Sequence, residues 1–60
     1  MFLKVTNVQT GTELYINIDN VRSLIPTEDG SMTLIVFNDL GELLVEESID
    51  ELMEDEDEDY

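Results

Sequence analysis

The chain has no cysteine, no histidine, no tryptophan and no alanine, a single proline, and only two basic residues among its 60. Without cysteine there is no disulfide staple and no thiol nucleophile, and without histidine the commonest acid–base group and metal ligand is gone. The two bases, Lys4 and Arg22, are too few for the positive footprint that direct nucleic-acid binding requires. No apolar run approaches the roughly 20 residues of a membrane span, and the N-terminus lacks the basic, then apolar, pattern of a secretion signal. These absences lead us to expect a soluble, cytoplasmic protein that binds neither nucleic acid nor membrane directly.

What is present is enough for a core. Apolar residues make up 42% of the chain and are almost entirely Val, Ile, Leu, Met and Phe, which supports one domain near the lower size limit for a single hydrophobic core. The net charge of −14 is unevenly placed: residues 1–45 hold six acids and two bases, whereas residues 46–60 hold ten acids and no base. Such a field opposes anionic ligands and attracts basic protein surfaces in a salt-sensitive way.

The apolar pattern predicts five strands. Phe2–Val8 and Glu13–Ile18 read as a hairpin, with Leu14, Ile16 and Ile18 alternating with Glu13, Tyr15 and Asn17 at the period of two of a half-buried strand. Gly11 supplies the positive φ of the link between them. After the turn-forming Asn17-Ile18-Asp19-Asn20, a third strand runs from Val21 to Ile25 and stops at Pro26, whose missing N–H suits no central ladder. Thr27-Glu28-Asp29-Gly30 is a turn. Ser31–Phe37 is apolar on both faces and should lie centrally. Asn38-Asp39-Leu40-Gly41 then forms a second hairpin link, with Gly41 at the expected left-handed position, and Glu42–Val45 returns.

The period changes at the end. Ser48-Ile49-Asp50-Glu51 matches a capping box, and Ile49, Leu52 and Met53 follow at helical spacing, on one face suited to packing against a sheet. Six consecutive acids, Glu54–Asp59, would crowd negative charge at the negative end of the helix dipole. The helix should therefore fray near Glu54 and leave a disordered acidic tail, dividing the chain into a domain over 1–53 and a tail over 54–60. The fold class expected is mainly β: a five-stranded antiparallel meander, or a small partly open barrel, with one short C-terminal helix. One short helix cannot cover both faces of an apolar sheet. Tyr15, Ile35 and Phe37, with Phe2, are therefore candidates for a surface completed by a second copy or by a partner, unless barrel closure buries them.

Catalysis finds little support in this pattern. Carboxylate pairs such as Glu46 and Glu47, or Glu28 and Asp29, would need a cleft between two positioned groups, for which 60 residues leave small room. The isolated glycines lack the spacing of a phosphate-cradling loop, and the acidic run lacks the alternating ligands and central Gly of a calcium loop. No catalytic, metal or cofactor residue is expected, and the protein is read as non-enzymatic.

The acidic segment comprises Glu46, Glu47, Asp50, Glu51, Glu54, Asp55, Glu56, Asp57, Glu58 and Asp59. Its plainest reading is a solvated, self-repelling appendage that keeps a sticky small domain in solution. Its sharper reading is mimicry: an extended chain advances about 3.3–3.6 Å per residue, close to the roughly 3.4 Å phosphate spacing of one DNA strand. A histone-like or other basic partner, or weak divalent-ion binding, completes the possibilities.

The stretches FLKVTNVQTGTELYIN (Phe2–Asn17) and SMTLIVFNDLGELLVEESIDEL (Ser31–Leu52), with Glu47, Ser48 and Glu51 at the helix start, resemble a small bacterial family, the FlbD-like or swarming-motility SwrD-like proteins, and phage-borne relatives. The resemblance covers about residues 2–53 and implies a non-enzymatic accessory role in flagellar assembly or motility, acting through the sheet. The run Glu54–Asp59 departs from that pattern. The function expected from the residues themselves is an acidic interaction protein that engages a basic, nucleic-acid-handling factor, for example as a phage-type inhibitor of a defence nuclease.

Overall fold

The computed structural model describes residues 1–57, and residues 1–53 with their side chains. Five strands, β1 (Phe2–Thr6), β2 (Glu13–Asn17), β3 (Val21–Pro26), β4 (Thr33–Phe37) and β5 (Glu42–Val45), are followed by one helix, α1 (Ile49–Asp57), with a 3₁₀ turn at Ile18–Asn20. All strand pairings are antiparallel, as the sequence predicts. They form two sheets, β1–β2 and β3–β4–β5, so β2 and β3 are neighbours in sequence but not in a ladder. Asn17 explains the break. Its side-chain oxygen caps the 3₁₀ turn by accepting the Asp19 N–H at 3.0 Å, and this local bond turns the chain away before β3 begins.

The sheets meet along β1 and β5. Val8 N–H donates to Leu44 O at 3.0 Å and Glu46 N–H to Thr6 O at 2.9 Å, with an isolated bridge at Asn7 and Val45. The domain is therefore two short sheets stitched at one corner, open along the other side rather than closed into a barrel. β4 lies in the middle of its sheet, as its two apolar faces require.

Leu3, Val5, Ile16, Ile35, Val45 and Leu52 form the core, with Leu14, Ile18, Val21, Leu24, Phe37 and Leu43 packed around it. The registers explain this set: Leu3 faces Ile16 and Val5 faces Leu14 in one sheet, while Leu24, Ile35 and Leu43 form a row across the other. On the outer face of the second sheet the matching row is Ile25, Leu34 and Leu44. The buried hydroxyl of Thr33 donates to the main-chain oxygen of Glu47 at 2.9 Å, which satisfies a polar group that would otherwise oppose burial.

Turn chemistry decides the hairpin ends. Gly11 and Gly30 take positive φ values of 74° and 76°. At the third turn the expectation fails, because Leu40, not Gly41, is left-handed, with φ 73°. The bond from Leu40 N–H to Phe37 O, at 2.8 Å, closes a four-residue turn one position earlier than the glycine. Gly41 serves a different need: its N–H donates to Asp39 Oδ1 at 2.9 Å, and a Cβ there would meet that oxygen at 3.1 Å. In the β3–β4 turn Asp29 Oδ1 accepts from the Ser31 N–H at 3.0 Å and from the Thr27 and Ser31 hydroxyls, both at 2.9 Å. These bonds, the Ser31 N–H foremost, hold the Asp29 carboxyl below its ordinary value of 3.8.

The capping box forms in full: Ser48 N–H donates to Glu51 Oε1 at 2.9 Å, and Glu51 N–H donates to Ser48 Oγ at 3.3 Å. Leu52 is 1% exposed and roots the helix in the core, whereas Met53 is 48% exposed and Ile49 half-buried. The expected three-residue apolar face is thus carried mainly by one side chain. The helix also runs to Asp57, past its expected end at Glu54. Once nucleated by its cap and its Leu52 anchor, each further turn adds main-chain bonds without a new nucleation cost, and Glu is a good helix former. Residues 58–60 of the expected tail, and the acidic side chains from Glu54 onward, lie outside the described residues.

Candidate functional site

Ten acids were expected to act together, and the fold separates them. Glu47 is turned inward: Oε1 accepts the Thr6 N–H at 2.9 Å and Oε2 the Thr6 hydroxyl at 2.8 Å. Its carboxylate stands in for the next ladder partner of β1 where β5 has already ended, and its own main-chain oxygen holds Thr33 of β4. Glu47 therefore clamps both sheets and the start of the helix, and it is withdrawn from the partner-binding set. Neither composition nor spacing marks this role; its one trace in the sequence is a Glu placed immediately before a helix cap.

Glu46, Asp50 and Glu51 are exposed. Glu51 also holds the helix cap, so its carboxylate serves structure and surface together. Glu54, Asp55, Glu56 and Asp57 continue the helix, while Glu58 and Asp59 lie outside the described residues. Along an α-helix an unbroken acidic run carries one charge per about 1.5 Å of axis. That changes the geometry of any mimicry. The extended, single-strand spacing expected from sequence does not apply through Asp57, and the helical density approaches the one charge per about 1.7 Å of duplex DNA.

The apolar candidates also divide. Ile35 is 0% exposed, because β4 carries it into the space between the two sheets, and it is core rather than surface. Phe37 is half-buried, packing against the core and lining a shallow concavity of about 430 Å³ with Asn20, Asn38, Asp39, Gly41 and Glu42. Tyr15 is 68% exposed and Phe2 65% exposed, both on the outer face of the β1–β2 hairpin. Lys4 lies directly across from Tyr15, and its ammonium reaches Glu13 at 3.4 Å on an exposed face, a pairing that contributes little to stability.

Among the described residues, no three acidic side chains converge as metal ligands would, and no helix is long and apolar enough to cross a membrane. Compared with protein-family models, curated proteins and solved structures, the chain matches none. The motility resemblance gains nothing from those comparisons, and function must be argued from the surface itself.

Proposed function

We propose that this is a non-enzymatic interaction protein whose acidic C-terminal helix engages a basic protein surface of the kind that holds nucleic acid. One observation carries the reading: the acids from Asp50 to Asp57 sit on a single helix that is rooted by Leu52 and started by a complete capping box. A rooted helix presents its charge from a fixed base, so less ordering entropy is lost on binding than for a loose tail. Its six acids in nine residues give one charge per about 2.2 Å of helix axis, closer to the spacing of a duplex than to that of a single strand. A groove lined with Lys and Arg would meet it over about two turns, with fast and salt-sensitive association.

The reading is tested by affinity capture from bacterial lysate with the full chain and with a chain stopped after Met53, each at low and high salt. Retention of a nucleic-acid-binding protein by the full chain alone, and only at low salt, is the expected result. Equal retention by both chains regardless of salt would overturn it and move the function to the sheets.

A further inference from the structure

Among the described residues, two sheet edges carry no paired strand, the outer sides of β2 and of β3, and they are built differently. Which main-chain groups point outward follows from the bonds that flank each ladder. In the hairpin, Asn7 N–H donates to Thr12 O and Ile18 N–H to Met1 O. Antiparallel alternation then makes Leu3–Ile16 and Val5–Leu14 the bonded pairs, and turns the main-chain groups of Glu13, Tyr15 and Asn17 away from β1. The same alternation turns Thr6 toward the other side of β1, where its N–H and C=O do find Glu47 and Glu46.

For β3, Thr27 N–H donates to Met32 O, so Pro26 and Leu24 face outward. Pro26 has no N–H to offer, and a register shift between Val21 and Ser23 bends the strand. Both are devices that discourage edge pairing. β2 has neither. Its five residues, Glu13–Asn17, run without a proline or a register shift, and at their centre stands the most exposed large apolar side chain among the described residues, Tyr15.

We propose that β2 pairs antiparallel with β2 of a second copy, about a two-fold axis through Tyr15, forming a four-stranded sheet across two molecules. This register opposes all five residues of each strand and is self-complementary. Tyr15 faces Tyr15 of the other copy, Leu14 faces Ile16 on the inner side, and each Glu13 carboxylate faces an Asn17 amide rather than the other Glu13. Shifting the axis to Glu13 would bring the two carboxylates together, a pairing that is destabilising. The isologous contact closes on itself and leaves no further β2 edge. Because each chain carries a charge of −14, the copies repel at long range, and added salt strengthens this contact by screening that repulsion. Salt therefore acts on the dimer in the opposite direction to its effect on a basic partner.

Sedimentation velocity of the full chain over a range of concentration and salt, together with single-cysteine cross-linking, tests the proposal. The native chain has no cysteine, so any disulfide made by a single-cysteine variant joins two molecules. Facing residues of a bonded antiparallel pair have Cα atoms about 5.5 Å apart, within disulfide reach. Tyr15→Cys should cross-link, and Glu13→Cys should not, because the two copies of residue 13 lie four positions out of register, roughly 13 Å apart. Dimer mass that rises with concentration and with salt is expected. Tyr15→Lys, which opposes two like charges on an outward-facing position, should weaken association at least about ten-fold while circular dichroism shows the fold intact. Backbone N-methylation at Tyr15 removes the same outward N–H without touching the β1–β2 ladder and should have the same effect. A monomer under all conditions would overturn the proposal. So would a dimer indifferent to Tyr15→Lys, equal cross-linking at positions 13 and 15, or a β2 edge that pairs only with an extended segment of another protein.

Discussion

Residues 1–45 and residues 46–60 differ in composition far more than in structural importance. The first region holds six acids in 45 positions and the second ten in 15, which invites reading the second as an appendage. Its first seven residues are instead the seam of the molecule: Glu46 and Glu47 bond β1, Glu47 also bonds β4, Ser48 and Glu51 cap the helix, and Leu52 fills the core. Charge of one sign does not define a solvated tail. Where each carboxylate finds its hydrogen-bond donors decides whether it belongs to the fold or to the surface.

The largest expected effect breaks that seam at its apolar point. Leu52→Ala empties a fully enclosed site and should cost about 3 kcal/mol, which for a domain of this size lowers the midpoint of thermal unfolding by well over ten degrees, about 4–8 °C per kcal/mol. Glu47→Ala comes next. It strands the Thr6 N–H and hydroxyl and should cost about 2 kcal/mol, whereas Glu46→Ala, one residue away with an exposed side chain, should stay within about 0.5 kcal/mol. Parallel denaturant titrations of the two variants sharpen the comparison, and equal effects would remove the distinction between inward and outward acids.

Leu40→Gly tests the first region alone. Relieving a leucine held at φ 73° should stabilise the domain by about 1 kcal/mol, read as a higher denaturation midpoint with an unchanged slope. The smallest effect concerns Asp29. Its folded carboxyl is held below 3.8, so its turn bonds add stability at pH above that value and lose it as pH falls through the lower folded pKa. Titration followed by NMR should place Asp29 below an unfolded-chain aspartate, and Asp29→Asn should flatten the acid limb of the stability profile.

Much of this fold was legible because it is written in local rules. The alternation in Glu13–Ile18, the two-faced apolarity of Ser31–Phe37, the stop at Pro26 and the Ser48–Glu51 box each specify an element through contacts a few residues apart. The turn at Asn17-Ile18-Asp19-Asn20 was legible, but the split into two sheets was not, because it depends on the meeting of β1 with residues 44–47, contacts far apart in sequence. Leu40 escaped for a related reason: turn closure, not the position of the nearest glycine, sets which residue becomes left-handed. Of the candidate site, the exposure of Tyr15 and of Glu46, Asp50 and Glu51 agrees with the sequence reading. Glu47 and Ile35 do not, because burial and bonding at those positions are set by neighbours from other strands.

If the acidic helix acts as proposed, it competes with nucleic acid for the same basic surfaces. The most direct measurement is displacement of a fluorescent DNA duplex from basic nucleic-acid-binding proteins, followed by anisotropy, with the full chain and the chain stopped after Met53 at low and high salt. Displacement by the full chain at low salt is expected, at least about ten-fold weaker for the shortened chain and lost as salt screens the contact. Failure of the full chain to displace the duplex at low salt, or equal displacement by both chains, would contradict it.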